Sequence, residues 1–297
     1  MSRKGAIFVS SQGLTFVTGG SGFIGSEIIK TSDSPVRALV HRKDVQGSNV
    51  QRVYGSILAD GPSFQKWLKG VMRVVHVARP SSGGTLGRYL IARKTRKAIT
   101  TMISKIESSD VSSSTVVHGS LSYGDRGEEI IGTESRIRPE GYARAYSIGE
   151  IPWIENLGSG GEVQVVRAPW VIGNGSWFEM LYKGDRVPVI EGGNHWMSLV
   201  SVESLSEFVW SLEGKGPGVF HPPLICRCRQ SDFARMVASV RGVEATGVSR
   251  SQLVRKIGRI ATESVLCSIR IDDGREMRSE SGSSLEELEN YVLSIIG

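Results

Sequence analysis

The stretch Leu14-Thr15-Phe16-Val17-Thr18-Gly19-Gly20-Ser21-Gly22-Phe23-Ile24-Gly25-Ser26-Glu27-Ile28-Ile29-Lys30 decides the fold. Leu14 to Thr18 is rich in apolar and β-branched residues and predicts a buried strand. From Phe23 the apolar residues recur at helical spacing up to Lys30. Between strand and helix, Gly20, Gly22 and Gly25 satisfy G-x-G-x-x-G, and Gly19, Gly22 and Gly25 stand three apart. In a strand–turn–helix context the glycines serve a tight turn, close approach of the backbone to a pyrophosphate, and close helix–strand packing. The helix start adds free N–H groups and the positive end of its dipole. The stretch therefore predicts a dinucleotide site whose phosphates lie against Gly19, Gly20, Ser21, Gly22, Phe23, Ile24 and Gly25.

Outward from this turn the chain alternates strand and helix signals. Val36 to His41, Val53 to Gly55, Arg73 to Ala78, Thr115 to His118 and Val163 to Arg167 read as strands, and Tyr89 to Ile106 and Gly141 to Asn156 as helices. In the first of these helices Leu90, Ile91, Ala98, Ile99, Met102 and Ile106 are expected on the core face, with Arg93, Arg96 and Lys97 as a solvated charge run. Such alternation predicts an α/β fold, a Rossmann-type doubly wound parallel sheet with right-handed crossovers. After Pro169 the pattern changes to shorter, Gly- and Trp-rich segments. The expected division is a dinucleotide-binding domain over 12–168 and a smaller substrate lobe over 169–297 that returns in part to the main sheet. Met1 to Ser11 is expected as an extra strand or a loose tail.

The end of the second strand discriminates between the two nicotinamide dinucleotides. A carboxylate there would bind the ribose 2′-hydroxyl of NAD. The sequence has His41-Arg42-Lys43 instead, which suits a 2′-phosphate and predicts NADP over NAD.

With these residues in place the chain resembles the extended short-chain dehydrogenase/reductase family, the NAD(P)-dependent epimerases, dehydratases and reductases, over nearly its whole length. Thr18 to Gly25 matches the family's cofactor turn, and Val75-His76-Val77-Ala78 its fourth-strand signature. Tyr123-Gly124, Thr133-Glu134 and Pro139 match the segment before the catalytic helix. Arg167-Ala168-Pro169-Trp170-Val171-Ile172-Gly173 resembles the sixth-strand motif, and Asn194 with Ser198 to Glu203 a later motif of the substrate lobe. The resemblance implies cofactor contacts from His41, Arg42, Ser56, Ile57, Ala78, Arg79 and Pro169 besides the turn. Ser56 stands where the family usually has an Asp near the adenine.

The family's chemistry uses a Ser and a Y-x-x-x-K pair, one helical turn apart on one face. The sequence reads Tyr142-Ala143-Arg144-Ala145-Tyr146, with Glu150 at the family's downstream acidic position. The resemblance implies Tyr142 as the proton donor, and Tyr146 where the ribose-binding Lys would stand. Counting back from Tyr123-Gly124 puts Gly119 at the serine position, and a one-residue gap puts Ser120 there; Ser120 or Ser122 is the expected hydroxyl. The catalytic candidates are thus Tyr142, Ser120 and Tyr146.

Composition bounds the rest. Over 297 residues, 39% hydrophobic content predicts a globular chain, and no apolar run approaches the roughly 20 residues of a membrane helix. Three cysteines predict no disulfide framework and a cytoplasmic protein. His221, Cys226 and Cys228 lack the four-ligand loop spacing of a zinc site, so no metal is expected. A net charge of +6 comes from scattered residues rather than a basic tail, which disfavours nucleic acid. Trp170, Trp177 and Trp196, with Phe178 and Tyr182, follow the sixth strand and are expected to line an apolar substrate pocket. The functional expectation is an NADP-dependent oxidoreductase that reduces a carbonyl on a hydrophobic small molecule, in specialised metabolism. Two alternatives stand beside it: a non-redox isomerase, lyase or cyclase on the same scaffold, and a silent NADP-sensing binding protein. The expected partner is a small-molecule substrate, with no membrane or nucleic acid; a homodimer is left open.

Overall fold

The computed structural model describes residues 13–47, 49–275 and 282–296. The expected strand or tail over Met1 to Ser11 lies outside them. Seven parallel strands form the main sheet, in the order β11-β7-β5-β4-β1-β2-β3. They are β1 (Leu14–Thr18), β2 (Val36–Val40), β3 (Val50–Tyr54), β4 (Val71–His76), β5 (Ser113–Gly119), β7 (Val163–Ala168) and β11 (Gly218–Phe220). The connections between them carry α1 (Phe23–Lys30), α2 (Gly61–Leu68), α3 (Thr85–Glu107), the short β6 (Ile130–Ile131) and α4 (Ala143–Gly158).

The sheet is buried on both faces. Val17, Val75 and Val166 pack with Ile28 of α1, while Phe16, Val74 and Val116 pack with Phe64, Trp67, Ile99 and Met102. Side chains of this kind contribute about 1.5–3 kcal/mol each when fully buried. β4 carries a buried Arg73 whose Nη2 donates to Val209 O at 2.6 Å and Thr115 Oγ1 at 3.0 Å. On α3 the inward face is Ala92, Thr95, Ala98, Ile99, Met102 and Ile103. Leu90, expected inside, is exposed: the helix begins at Thr85, four residues earlier than its pattern suggests, and its small residues turn toward α4. A Cβ on Gly149 would stand 3.0 Å from Thr95 Cγ2, so the two helices touch closely there and α4 is held in register.

The C-terminal part contains β8 (Trp170–Ile172), α5 (Trp177–Tyr182), β9 (Arg186–Ile190), β10 (Trp196–Ser201) and α6 (Val202–Ser211). After β11 come β12 (Cys226–Arg229), α7 (Gln230–Arg241), β13 (Glu244–Val248), α8 (Arg250–Ile257), α9 (Arg259–Leu266), β14 (Arg270–Ile271) and α10 (Gly282–Ile296). Small sheets β12-β10-β8, β13-β9 and β14-β6 enclose a core of Phe178, Tyr182, Phe233 and Leu288, against which Trp170 and Trp177 pack. No described helix is long and apolar enough to cross a membrane.

Candidate functional site

The glycine turn sits at the carboxyl edge of β1. Gly19 has φ +78°, and a Cβ there would lie 2.7 Å from Ala78 N, so the chain leaving β4 passes directly over it. A Cβ on Gly25 would stand 2.1 Å from Gly19 O, which only glycine avoids. Gly22 differs. Its backbone is extended (φ −86°, ψ 168°), and an added Cβ would meet only Gly19 O at 3.3 Å. The conformation allows a side chain at Gly22, and this single contact asks the Gly19 carbonyl to give by only a few tenths of an ångström, so local packing opposes a side chain far less here than at Gly19 or Gly25. Gly22 is the N-cap of α1 and provides no side-chain cap, which leaves the first-turn N–H groups of Phe23 and Ile24 uncapped by any side chain. This cradle fits a pyrophosphate.

At the end of β2, His41, Arg42 and Lys43 are all exposed. The nearest following carboxylate, Asp44, is committed to Arg52 Nε and to Val45 N. Ser56 accepts from Leu58 N at 3.2 Å, and Ile57 beside it packs into the core with Trp67. Pro169 is buried between β7 and β8. Gly173, further along that segment, faces the ring of Phe23: a Cβ would stand 3.1 Å from it.

Beneath the carboxyl ends of β1, β4, β5 and β7 lies a buried polar network. Thr18 Oγ1 bonds His76 Nδ1 at 2.8 Å; burial, with His118 adding to it, lowers the His76 pKa to about 3, so its ring is neutral. Glu150 on α4 accepts from Arg167 of β7 at 2.7 Å and from Ser122 at 3.2 Å, with His118 Nδ1 at 3.5 Å. Burial raises the Glu150 pKa while Arg167 opposes the shift. Tyr123 donates its O–H to His221 Nε2 at 2.9 Å, because Nδ1–H of that ring donates to Asp272 O at 2.7 Å.

The two tyrosines of α4 part company. Tyr142 opens the helix as its N-cap and is exposed at 38%, with the Arg88 guanidinium 5.2 Å from its ring centroid. Tyr146 turns inward. The Arg79 guanidinium lies 4.5 Å from its ring centroid, and its hydroxyl stands 3.0 Å from where a Cβ of Gly119 would be. Burial raises the Tyr146 pKa and Arg79 opposes that, so its O–H stays protonated. Gly119 at the serine position and Tyr146 at the lysine position are thus one arrangement: the phenol fills the space a residue-119 side chain would need. Ser120 is buried in the 3-10 turn that follows β5, while Ser122 is spent on Glu150.

Tyr142 also lines a cavity of about 220 Å³ together with Arg88, Arg144, Arg259 and Glu263. Sequence reasoning did not single these charged residues out. They come from α3, α4 and α9, and only the anchoring of α9 on the start of α4, where Ser264 Oγ accepts from Tyr142 N at 3.0 Å, brings them together. Trp170, Trp177 and Trp196, expected around the substrate, do not line this cavity. The Trp170 and Trp177 rings lie 4.8 Å apart at 60°, and Trp177 donates to Val171 O. Trp196 lies between the guanidiniums of Arg229 and Arg270 and donates to Glu128. Cys226, Cys228 and Cys267 are free and buried, and no cluster of three or more metal-ligating side chains occurs among the described residues.

A seven-stranded parallel sheet in this order, with a glycine turn after β1 and helices against it, is a Rossmann-type doubly wound fold. Solved structures share it. The dTDP-glucose 4,6-dehydratase DesIV from Streptomyces venezuelae, solved with NAD, has 17% identity and a TM-score of 0.71, over 94% of this chain and 95% of that one. Human epimerase family protein SDR39U1, solved with NADPH, has 14% identity and a TM-score of 0.72, over 95% and 98%. The UDP-N-acetylglucosamine 4-epimerase from Bacillus cereus has 14% identity and a TM-score of 0.69, over 96% of each chain. No known family model matches the sequence, and no curated protein matches it.

Proposed function

We propose that the chain is an enzyme that binds NADPH and reduces a carbonyl group of a small molecule. The observation that carries the cofactor reading is Gly22: a glycine that local packing requires far less than Gly19 or Gly25, at the uncapped start of α1, in a turn that those two hold closed. Solved structures of the same fold with NAD or NADPH support it. Arg42 and Lys43, exposed at the end of β2 with Asp44 already engaged, favour a 2′-phosphate.

When bound, the cofactor supplies hydride. The turn N–H groups and the α1 dipole would hold its pyrophosphate, and Arg42 and Lys43 would hold the 2′-phosphate. Tyr142, at the mouth of the cavity, donates the proton to the carbonyl oxygen. Tyr146 places a second, always protonated O–H above Gly119, and Arg79 puts a positive charge on the face of that ring in place of the family's lysine ammonium. The Glu150–Arg167 pair ties α4 to β7 and keeps both tyrosines in position.

Tyr146 at the lysine position also favours a second reading, a non-redox isomerase, lyase or cyclase on the same scaffold, since a tuned Tyr–Lys pair matters less when no hydride moves. NADPH consumption with a panel of aldehydes and ketones separates the two. Oxidation of NADPH with formation of the matching alcohol supports the reductase. Product without consumption transfers the assignment to the non-redox reading, and no NADPH binding overturns both.

A further inference from the structure

The cavity beside Tyr142 is more cationic than its surroundings need. Three guanidiniums, Arg88, Arg144 and Arg259, line it against a single carboxylate, Glu263. That carboxylate is fully used: one oxygen lies 3.1 Å from Arg144 Nη1 and the other 2.9 Å from Arg259 Nε. The Arg88 side chain has no ion pair or hydrogen bond among the described residues, and its Nε is buried without a partner. A buried donor without an acceptor is costly, about 1–3 kcal/mol, and the ring of Tyr142 beneath Arg88 contributes no acceptor of that strength. Each guanidinium has five N–H donors in a planar fork, so the trio retains capacity for a bidentate oxyanion. A volume of about 220 Å³ is below the ~300–1,000 Å³ of pockets for larger ligands, which points to a compact guest.

We propose that this cavity binds an oxyanion, a carboxylate or phosphate group carried by the substrate next to its reacting carbonyl. That the anion belongs to a substrate rests on the function proposed above; the anion site itself does not. Arg88 from α3 and Arg259 from α9 hold the oxyanion, Arg144 adds charge beside Tyr142, and the carbonyl is thereby set against the tyrosine. The substrate class is a small oxo acid or phosphorylated carbonyl compound rather than the purely apolar molecule expected from the tryptophans.

The test is calorimetric titration of the full chain, with and without NADPH, using benzoylformate, its neutral methyl ester, phenyl phosphate and inorganic phosphate. The proposal expects benzoylformate or phenyl phosphate to bind at least tenfold more tightly than the ester. Whichever of the two is tighter names the group. Arg88→Gln and Arg259→Gln should each weaken that anion at least fivefold and leave NADPH affinity unchanged. Three results overturn it: an ester as tight as the acid or no probe bound at all, variants that bind the anion as wild type does, or inorganic phosphate competing as well as either probe, which means an adventitious ion only. Because cofactor-free protein reads the cavity by itself, a failure of NADPH to bind counts against the proposed function and not against the anion site.

Discussion

Gly119→Ser restores the side chain that the resemblance places at the end of β5, and the structure predicts that it costs stability. The backbone raises no objection: Gly119 has φ −84° and ψ 143°, which any residue adopts. The conflict is spatial. The new Cβ would stand 3.0 Å from the Tyr146 hydroxyl and 3.7 Å from its ring carbon Cζ. Comfortable heavy-atom contacts begin near ~3.5 Å, so the phenol must retreat by about half an ångström. It is half-buried and lies beneath Arg79, which restricts its retreat. Overpacking of this size costs about 1–3 kcal/mol. Replacing glycine returns about 0.4–1 kcal/mol by restricting the unfolded chain, leaving a net loss of about 1 kcal/mol. Tyr146→Phe removes the hydroxyl and leaves only the ordinary 3.7 Å contact. In that background Gly119→Ser should be neutral or slightly stabilising, a coupling of about 1 kcal/mol or more. Urea unfolding followed by tryptophan fluorescence, on wild type, both single variants and the double variant, measures the cycle. Equal costs of Gly119→Ser in the two backgrounds would refute the idea that Tyr146 is the reason for the glycine.

Arg42→Ala should weaken NADPH by about 1–3 kcal/mol, the loss of one hydrogen bond to a charged group, and leave NADH unchanged; cofactor fluorescence titration checks it, and equal losses would count against the 2′-phosphate contact. Tyr142→Phe should lower reductive turnover by roughly 10²–10⁴-fold with NADPH affinity unchanged, and full turnover would move the proton donor elsewhere. Arg167→Met strands the Glu150 carboxylate in the interior, at about 3–5 kcal/mol. The folded-state pKa of Glu150 is already raised by burial and rises further in this variant. A raised carboxyl favours the folded state below its unfolded pKa of ~4.3, and that contribution is lost as pH climbs through the folded value. The deficit of the variant should therefore be largest at pH 7 and shrink toward pH 4 in urea unfolding. A deficit independent of pH would mean that Glu150 is not the charge left behind.

What the sequence disclosed was local or periodic. The glycine turn is legible because Gly19 and Gly25 answer to contacts only a few residues or one strand away, β1 and β4 follow from short, mostly apolar or β-branched runs, and α1 from apolar residues at helical spacing. The helix α2 escaped notice because its eight residues carry only Phe64, Trp67 and Leu68 as a core face. The strands of the C-terminal part are mostly three to six residues long and pair across long stretches of chain, so their alternation is too brief to read. The glycine at 119 and the tyrosine at 146 were both visible as departures from the family pattern. That one fills the space of the other is a contact between β5 and α4, and no spacing in the chain states it. The same holds for Arg88, Arg144 and Arg259, ordinary helix charges until α9 folds over the start of α4. The tryptophans show the limit from the other side: their size marks them for a pocket or a core alike, and Trp177, with its N–H on Val171 O, packs half-buried against the core of the C-terminal part.

The central claim is that the turn from Gly19 to Gly25 is a cofactor cradle. It is tested most directly by NADPH titration of wild type against Gly22→Val. The extended backbone of Gly22 accepts valine and the one tight contact is 3.3 Å to the Gly19 carbonyl, so the variant should keep its circular dichroism and lose little of its urea midpoint. The added side chain would occupy the space the pyrophosphate needs. The account predicts tight binding by wild type and a loss of at least a hundredfold, about 2.7 kcal/mol, in the folded variant. Undiminished binding by Gly22→Val, or no binding of NADPH by wild type, would contradict it.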